Sequence, residues 1–420
     1  MKKSLLMLLL VCTMVVTMLA GCGKKADNSG AAAEEEITDY GSGEIKIWVA
    51  ENVADFTKAK AEQFIKDNEK FSGYTIKVEA VGEGDAASNM ITDVQAGADI
   101  YGFAQDQLAR LVAAGAIAPV PADIASTVSS ENDAESVAAA TIGDVLYCYP
   151  TTSDNGYFLY YDKSVVTDPT SVDAILKDCE AAGKGFYFEI NSGWYQTAFF
   201  FGTGCTLTYE TDTAGAFTAC NADYASENGV AALKAMIALH KSPVFNNGSS
   251  ISNAANVAAI VDGTWDSGAA KDLFGENYAC AKLPKITVDG KDYQLGGFSG
   301  YKLMGVKPQE EAGKLAVCNA LAAYLTSEEV QIDRYNEVGW GPSNKKAQEN
   351  DAVKADEALS ALREQLPFDI PQGQYPGDYW GLATSLGDSV IAGDYDNATD
   401  EELMSVLTTF QDTCASYVSK

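Results

Sequence analysis

Short clusters of rings, acids and amides recur along this 420-residue chain, most of them directly behind a stretch that reads as a strand. Glu51 and Asn52 end the first such stretch, and Gln105 and Asp106 end the third. Ser192, Trp194 and Tyr195 follow an aromatic strand pattern, and Thr264 and Trp265 follow a buried one. Tyr375, Tyr379 and Trp380 stand among Pro and Gly at the start of a helical pattern. In open parallel sheets, ligands sit beyond the carboxyl ends of strands, so these are the groups a ligand would meet. Flat rings cover the faces of a pyranose, and carboxylates and amides bond its hydroxyls, which suits a neutral sugar. A ring burying roughly 100 Å² of sugar contributes about 2.5 kcal/mol before ordering costs. Three such rings would support micromolar affinity, about −8 kcal/mol.

Not every ring belongs in such a site. Trp48 lies inside a strand pattern and reads as core, whereas Trp194, Trp265 and Trp380 follow strands or sit in Gly- and Pro-rich loops and read as exposed. Paired carboxylates such as Asp106 and Asp154 could act as acid and base on a glycoside, but nothing in the sequence tunes either. A serine triad would have to use His240, the single histidine, and no GxSxG is present. Gly82, Gly84 and Ala87 imitate a dinucleotide fingerprint, yet a strand-to-helix turn needs glycine anyway. Asp394, Asp396 and Asp400 lack the glycine and glutamate of a calcium loop. With no CxxC and one histidine, a zinc site is not expected. The expectation is a binding protein, not an enzyme, with no metal and no cofactor.

The elements that position these groups follow from periodicity. Ile45, Ile47 and Val49 alternate with polar neighbours, as do Tyr74, Ile76 and Val78, so both stretches read as strands. Helical patterns follow at 55–69 and 86–96, and a third strand at 99–103 leads into a helix at 105–114. This strand-helix repeat is of the parallel-sheet type. After Pro150, strands at 157–161 and 186–190 flank a helix at 171–182, and a helix at 226–239 precedes a strand at 258–262. A strand at 301–306 leads into helices at 310–325 and 327–336. Thr399 and Glu402 form a capping-box pattern before Leu403, Val406, Leu407 and Phe410, which share a helical face. The length suffices for two domains, each with its own core.

Cys318 shares a helical face with Leu315, Ala322 and Leu325 and reads as core. Cys205 and Cys220 flank two β-rich stretches, 206–210 and 216–220, and are the disulfide candidate in an exported chain. Export is suggested by the other end of the sequence. Lys2 and Lys3 precede an apolar run at 5–19, and Ala20 and Gly21 are small residues directly before Cys22. This resembles a bacterial lipoprotein signal, which implies removal of residues 1–21 and diacylglycerol on Cys22. Two acyl chains hold a protein stably at a membrane, here the extracytoplasmic face of the cell membrane. Residues 22–43 read as a flexible tether. The net charge of −30 argues against nucleic acid and anionic lipid surfaces as partners.

Taken together, several stretches resemble extracellular solute-binding proteins of sugar ABC transporters, and among them the maltose- and maltodextrin-binding branch. They are 44–48, Ala98-Asp99-Ile100 with Phe103-Ala104-Gln105-Asp106, Tyr149-Pro150 leading to Tyr160-Tyr161-Asp162-Lys163, Gly193-Trp194-Tyr195, Asp262-Gly263-Thr264-Trp265, and Tyr379-Trp380. The resemblance implies an α/β, two-lobed, periplasmic-binding-protein-like fold, each lobe a sheet flanked by helices and joined by a hinge. Lobe I would comprise 44–152 and 299–345, and lobe II 153–298 and 346–420. Phe103, Trp194, Trp265 and Trp380 would be the sugar-stacking rings, Asp106 and Asp154 the hydrogen-bonding acids, and Glu51 and Asn52 the first binding loop. Gln107 stands where the maltose-binding pattern carries a basic residue. The implied partners are an oligosaccharide such as a maltodextrin and the permease subunits of an ABC importer, served by a monomer. A different sugar or a peptide as ligand, a cell-surface glycoside hydrolase, and an adhesion lipoprotein are the alternatives.

Overall fold

The computed structural model describes residues 37 and 39–418. The expected signal at 1–21, Cys22 and most of the 22–43 tether lie outside the described residues. Two five-stranded sheets organise the remainder into two lobes. The first runs in the order Tyr74–Ala80, Gly43–Val49, Ile100–Ala104, Lys302–Val306, Cys148–Thr152. Its first three strands are parallel, as the strand-helix repeat requires. Lys302–Val306 runs antiparallel to both neighbours, because the chain enters this sheet again from the other lobe. Both it and Cys148–Thr152 are buried at every position, the signature of strands covered on both faces.

The second sheet runs Phe245–Asn246, Gly185–Tyr187, Val257–Gly263, Tyr157–Asp162, Tyr278–Ala281. Val257–Gly263 lies at its centre with every residue buried, parallel to Gly185–Tyr187 and antiparallel to Tyr157–Asp162. Both sheets are therefore mixed, not purely parallel. Each lobe has its own core: Ile47, Tyr149 and Cys318 pack in the first, and Leu159, Phe199 and Leu233 in the second. Helices begin where polar caps allow. Ser171, Ser226 and Ser327 each accept a backbone N–H from the first turn, and Thr399 and Glu402 complete a reciprocal capping box.

The segments that cross between the sheets are tied to one another. Ser153 N–H donates to the Gly341 carbonyl and Asn155 N–H to that of Gly300, both at 3.1 Å. A hairpin, Leu207–Thr211 with Phe217–Ala222, leans from the second lobe onto the first. Gly215 at its turn has φ +83°, and a Cβ there would lie 2.2 Å from the Ala109 carbonyl oxygen. Gly215→Val is expected to cost about 1–3 kcal/mol through combined backbone strain and clash. A melting temperature equal to wild type would mean that the hairpin is not docked there in solution.

That hairpin also removes the expected disulfide. Its register places Cys220 opposite Tyr209 and Ala222 opposite Leu207, so Cys205 lies outside the ladder. Four residues of offset amount to roughly 13 Å along a strand, whereas a disulfide needs Cα atoms about 6 Å apart. Cys205 and Cys220 are both free thiols, and burial pushes each above its ordinary pKa.

Candidate functional site

A cleft of about 760 Å³ opens where the ends of the two sheets meet. The Glu51–Asp67 helix starts directly behind the first strand, earlier than its apolar pattern suggests, so Glu51 and Asn52 form its exposed first turn at the cleft edge. An acidic side chain there is favoured by the helix dipole. Behind Ile100–Ala104 the chain turns through Gln105–Gln107 into the Leu108–Ala113 helix, which sets Asp106 and Arg110 on the same wall. Gln107 is buried: its Oε1 accepts from the Ala87 N–H at 3.0 Å and its Nε2 donates to the Glu83 carbonyl, which fixes the loop at 83–87 beside the cleft.

The opposite wall is aromatic. Trp194 and Trp265 lie 5.9 Å apart at 47°, and Trp194 Nε1 donates to Gln372 Oε1 at 3.2 Å. Trp265 folds over the backbone at Gly263, where a Cβ would lie 2.1 Å from the indole, so only glycine lets the ring rest there. Trp380 stands in the first turn of the Gly377–Ile391 helix, its ring 4.9 Å from that of Tyr379 and 5.3 Å from that of Tyr375. The loop before that helix is fastened to the Asp106 turn. Gln374 Oε1 accepts from the Ala109 N–H at 2.7 Å, Gln374 Nε2 donates to the Gln105 carbonyl at 2.9 Å, and the Tyr375 N–H donates to the Asp106 carbonyl at 3.2 Å. Trp380 is thereby held against Asp106.

Burial pushes the Asp106 carboxyl up to about 7, against the Arg110 charge and the neighbouring Trp380 side chain. Arg110 is itself lowered by burial and raised by Asp106 and Asp378. Because the folded pKa lies above the unfolded value near 4, Asp106 contributes stability that is lost as pH rises from about 4 through 7.

Eight residues singled out in the sequence line this cleft: Glu51, Asn52, Asp106, Ser192, Trp194, Tyr195, Trp265 and Trp380. Six others do not: Phe103, Gln105, Asp154, Thr264, Tyr375 and Tyr379. Phe103 is fully buried against Tyr101, 5.6 Å between rings, because its face of the strand packs inward. Tyr379 is buried among Tyr209, Tyr375 and Phe410, since consecutive helical residues cannot share a face with Trp380. Gln105 points at the crossing segment, its Nε2 donating to the Gln372 carbonyl. Asp154 is 2% exposed and accepts from Thr264 Oγ1 and the Gly341 N–H, both at 2.5 Å. It therefore braces the loops that carry Trp265 and Trp340. Asp154 and Gln105 line a separate groove of about 1220 Å³ against the crossing segments, so Asp106 and Asp154 do not face one another across the cleft as an acid-base pair.

Arg110, Lys302, Trp340 and Gln372 also line the cleft and were not singled out. Arg110 follows Asp106 by four residues, a spacing that pairs charges on a helical turn. Lys302 and Trp340 depend on strand placement and a loop conformation that no local pattern reveals.

The chain matches the family of bacterial extracellular solute-binding proteins over residues 55–361. It is 23% identical over 412 residues to the galactooligosaccharide-binding protein of Bacillus subtilis (strain 168), covering 92% of each chain. A solved structure described as being with acarbose superimposes with a TM-score of 0.77 at 30% identity, over 90% of this chain and 99% of that one. The maltodextrin-binding protein MalE1 from L. casei BL23, without ligand, superimposes with a TM-score of 0.71 at 24% identity, over 89% and 99% of the two chains. The named relatives are binding proteins. Among the described residues, no helix is long and apolar enough to cross a membrane.

Proposed function

Since the chain belongs to the bacterial extracellular solute-binding protein family, and so works outside the cytoplasm, we propose that it captures a neutral oligosaccharide between its lobes for an ABC importer. The observation that carries this reading is that Trp194, Trp265 and Trp380 line one cleft together with the buried Asp106. Rings supply stacking area, and the Asp106 and Arg110 pair offers an acceptor and a donor to sugar hydroxyls. Maltodextrins and galacto-oligosaccharides are the first ligands to try, given what the relatives bind. The open form would expose the cleft, a sugar would dock on the aromatic wall, and contacts from the Asp106 side would favour closure. In this reading lobe I is 44–152 with 299–345 and lobe II is 153–298 with 346–420, Cys22 carries the lipid anchor, and a monomer delivers its cargo to the permease subunits.

A thermal-shift screen of residues 23–420 against maltotriose, longer maltodextrins, galacto-, xylo- and manno-oligosaccharides, simple hexoses and a peptide mixture tests the reading. Ligand at 100 times Kd adds about 2.7 kcal/mol, a resolvable shift. A shift with a peptide but with no carbohydrate would overturn it.

Asp106 gives binding a pH dependence. A sugar hydroxyl donates to the ionised carboxylate, so affinity is expected to rise with pH through the value near 7 and level off above it. Between pH 6 and 8 the gain should be about tenfold if only the ionised form binds. Asp106→Asn should flatten the profile. A wild-type profile already flat would remove Asp106 from the ligand.

A further inference from the structure

Lys302 opens the Lys302–Val306 strand, paired with Ala104 on one side and Thr152 on the other, which sets it beside the turn that carries Asp106. Its side chain lines the cleft although the residue is only 6% exposed. The ammonium lies 3.7 Å from the Trp340 ring centroid and 5.0 Å from that of Trp265. Among the described residues it makes no ion pair and no hydrogen bond. Trp340 is 4% exposed, and its indole N–H is buried without a partner. Two donors thus adjoin one another at the cleft, and among the described residues neither has a protein acceptor. Indole faces attract a cation but do not replace the oxygens it leaves behind in water.

We propose that Lys302 is a ligand-contacting, specificity-determining residue, whose ammonium, seated on the Trp340 face, donates to an oxygen of the neutral oligosaccharide stacked on Trp265. The inference rests on the reading of the cleft as an oligosaccharide site and adds to it the group that orients the sugar. The oxygen belongs to a hydroxyl or a ring, not to a carboxylate. Glu51, Glu83, Asp85, Asp106 and Asp266 line the same cleft and would repel an acidic sugar. Trp265 belongs to the second lobe's sheet end and Lys302 to the first lobe's, so a sugar held by both also joins the lobes.

Titration calorimetry of wild type, Lys302→Met and Lys302→Arg with maltotriose and a galactotriose tests the proposal. Lys302→Met is expected to bind at least about tenfold more weakly, the scale of a lost charge-assisted hydrogen bond. Its ligand-free melting temperature should stay close to that of wild type, because methionine fills similar space and no ion pair is lost. Lys302→Arg keeps the charge and should retain most of the affinity. Deoxy derivatives of the bound trisaccharide supply a readout that a merely structural role would not move: one hydroxyl should matter to wild type and not to Lys302→Met. Unchanged affinity in a folded Lys302→Met, or equal losses in both proteins for every deoxy sugar, would overturn the proposal. A wild-type protein that binds neither trisaccharide nor any other oligosaccharide would overturn the underlying reading with it, a different result from the first.

Discussion

Trp380→Ala is expected to weaken oligosaccharide binding by roughly 30- to 100-fold while leaving the protein folded. The ring does two things in the cleft. It offers a face to the ligand, and a stacked indole that covers about 100 Å² contributes about 2.5 kcal/mol, which converts to nearly two decades of affinity. It also lies beside the Asp106 carboxyl, where it favours the ionised form against the burial that pushes that group up to about 7. Without Trp380, Asp106 should titrate still higher, and the loss of affinity should be larger at pH 6 than at pH 8. The helix beneath stays anchored by Tyr375 and Tyr379, both 1% exposed, so the scaffold survives the change. Trp265→Ala should cost at least about tenfold for the same stacking reason. Titration calorimetry at the two pH values reads both effects, and wild-type affinity in a folded Trp380→Ala would take the ring out of the site.

Arg334→Met is expected to lower the melting temperature by about 10 °C or more, the result of a loss on the order of 3–5 kcal/mol. Arg334 is 3% exposed in the Glu328–Val338 helix, donating to the carbonyls of Thr151 at 3.4 Å and Leu325 at 2.5 Å. Burial lowers its pKa to about 10, so it keeps its charge at neutral pH, and the nearby Asp154 carboxylate helps it to do so. Methionine fills similar space but leaves two buried carbonyls without their donor and removes the positive charge near the buried Asp154. Asp154 in turn holds Gly341 and Thr264, the residues beside Trp340 and Trp265. Ligand affinity should therefore fall together with stability. A melting curve that matched wild type would show that the charge at 334 does not hold the crossing segments.

The distribution of what could be read from the sequence follows the range of the forces involved. Alternation at Ile45, Ile47 and Val49 and serine or threonine caps at 171, 226, 327 and 399 are local signals, and the elements they mark are present. The direction of Lys302–Val306 is decided by which lobe the chain comes from, and nothing within the strand records that. Likewise the pairing of Cys205 with Cys220 looked plausible from a symmetrical hairpin, but register is set by side-chain packing along the whole ladder and by the Phe217–Ala219 irregularity. In the cleft, the strand-end rule found the neighbourhood and not always the residue. Tyr379 and Trp380 are adjacent in sequence and face different ways, as do Gln105 and Asp106. Asp154 was read for its charge, yet its position between Gly341 and Thr264 gives it a bracing role. Lys302 was passed over because a single lysine at a strand start ordinarily points to water.

The most direct test of an interlobe oligosaccharide site is a crystal structure of the protein with the sugar selected by the thermal-shift screen. Sugar rings are expected against Trp194, Trp265 and Trp380, with hydroxyls on Asp106 and Arg110 and one oxygen on Lys302 Nζ. Sugar bound only in the groove beside Asp154 and Gln105, or on an outer face of either lobe, would contradict that site.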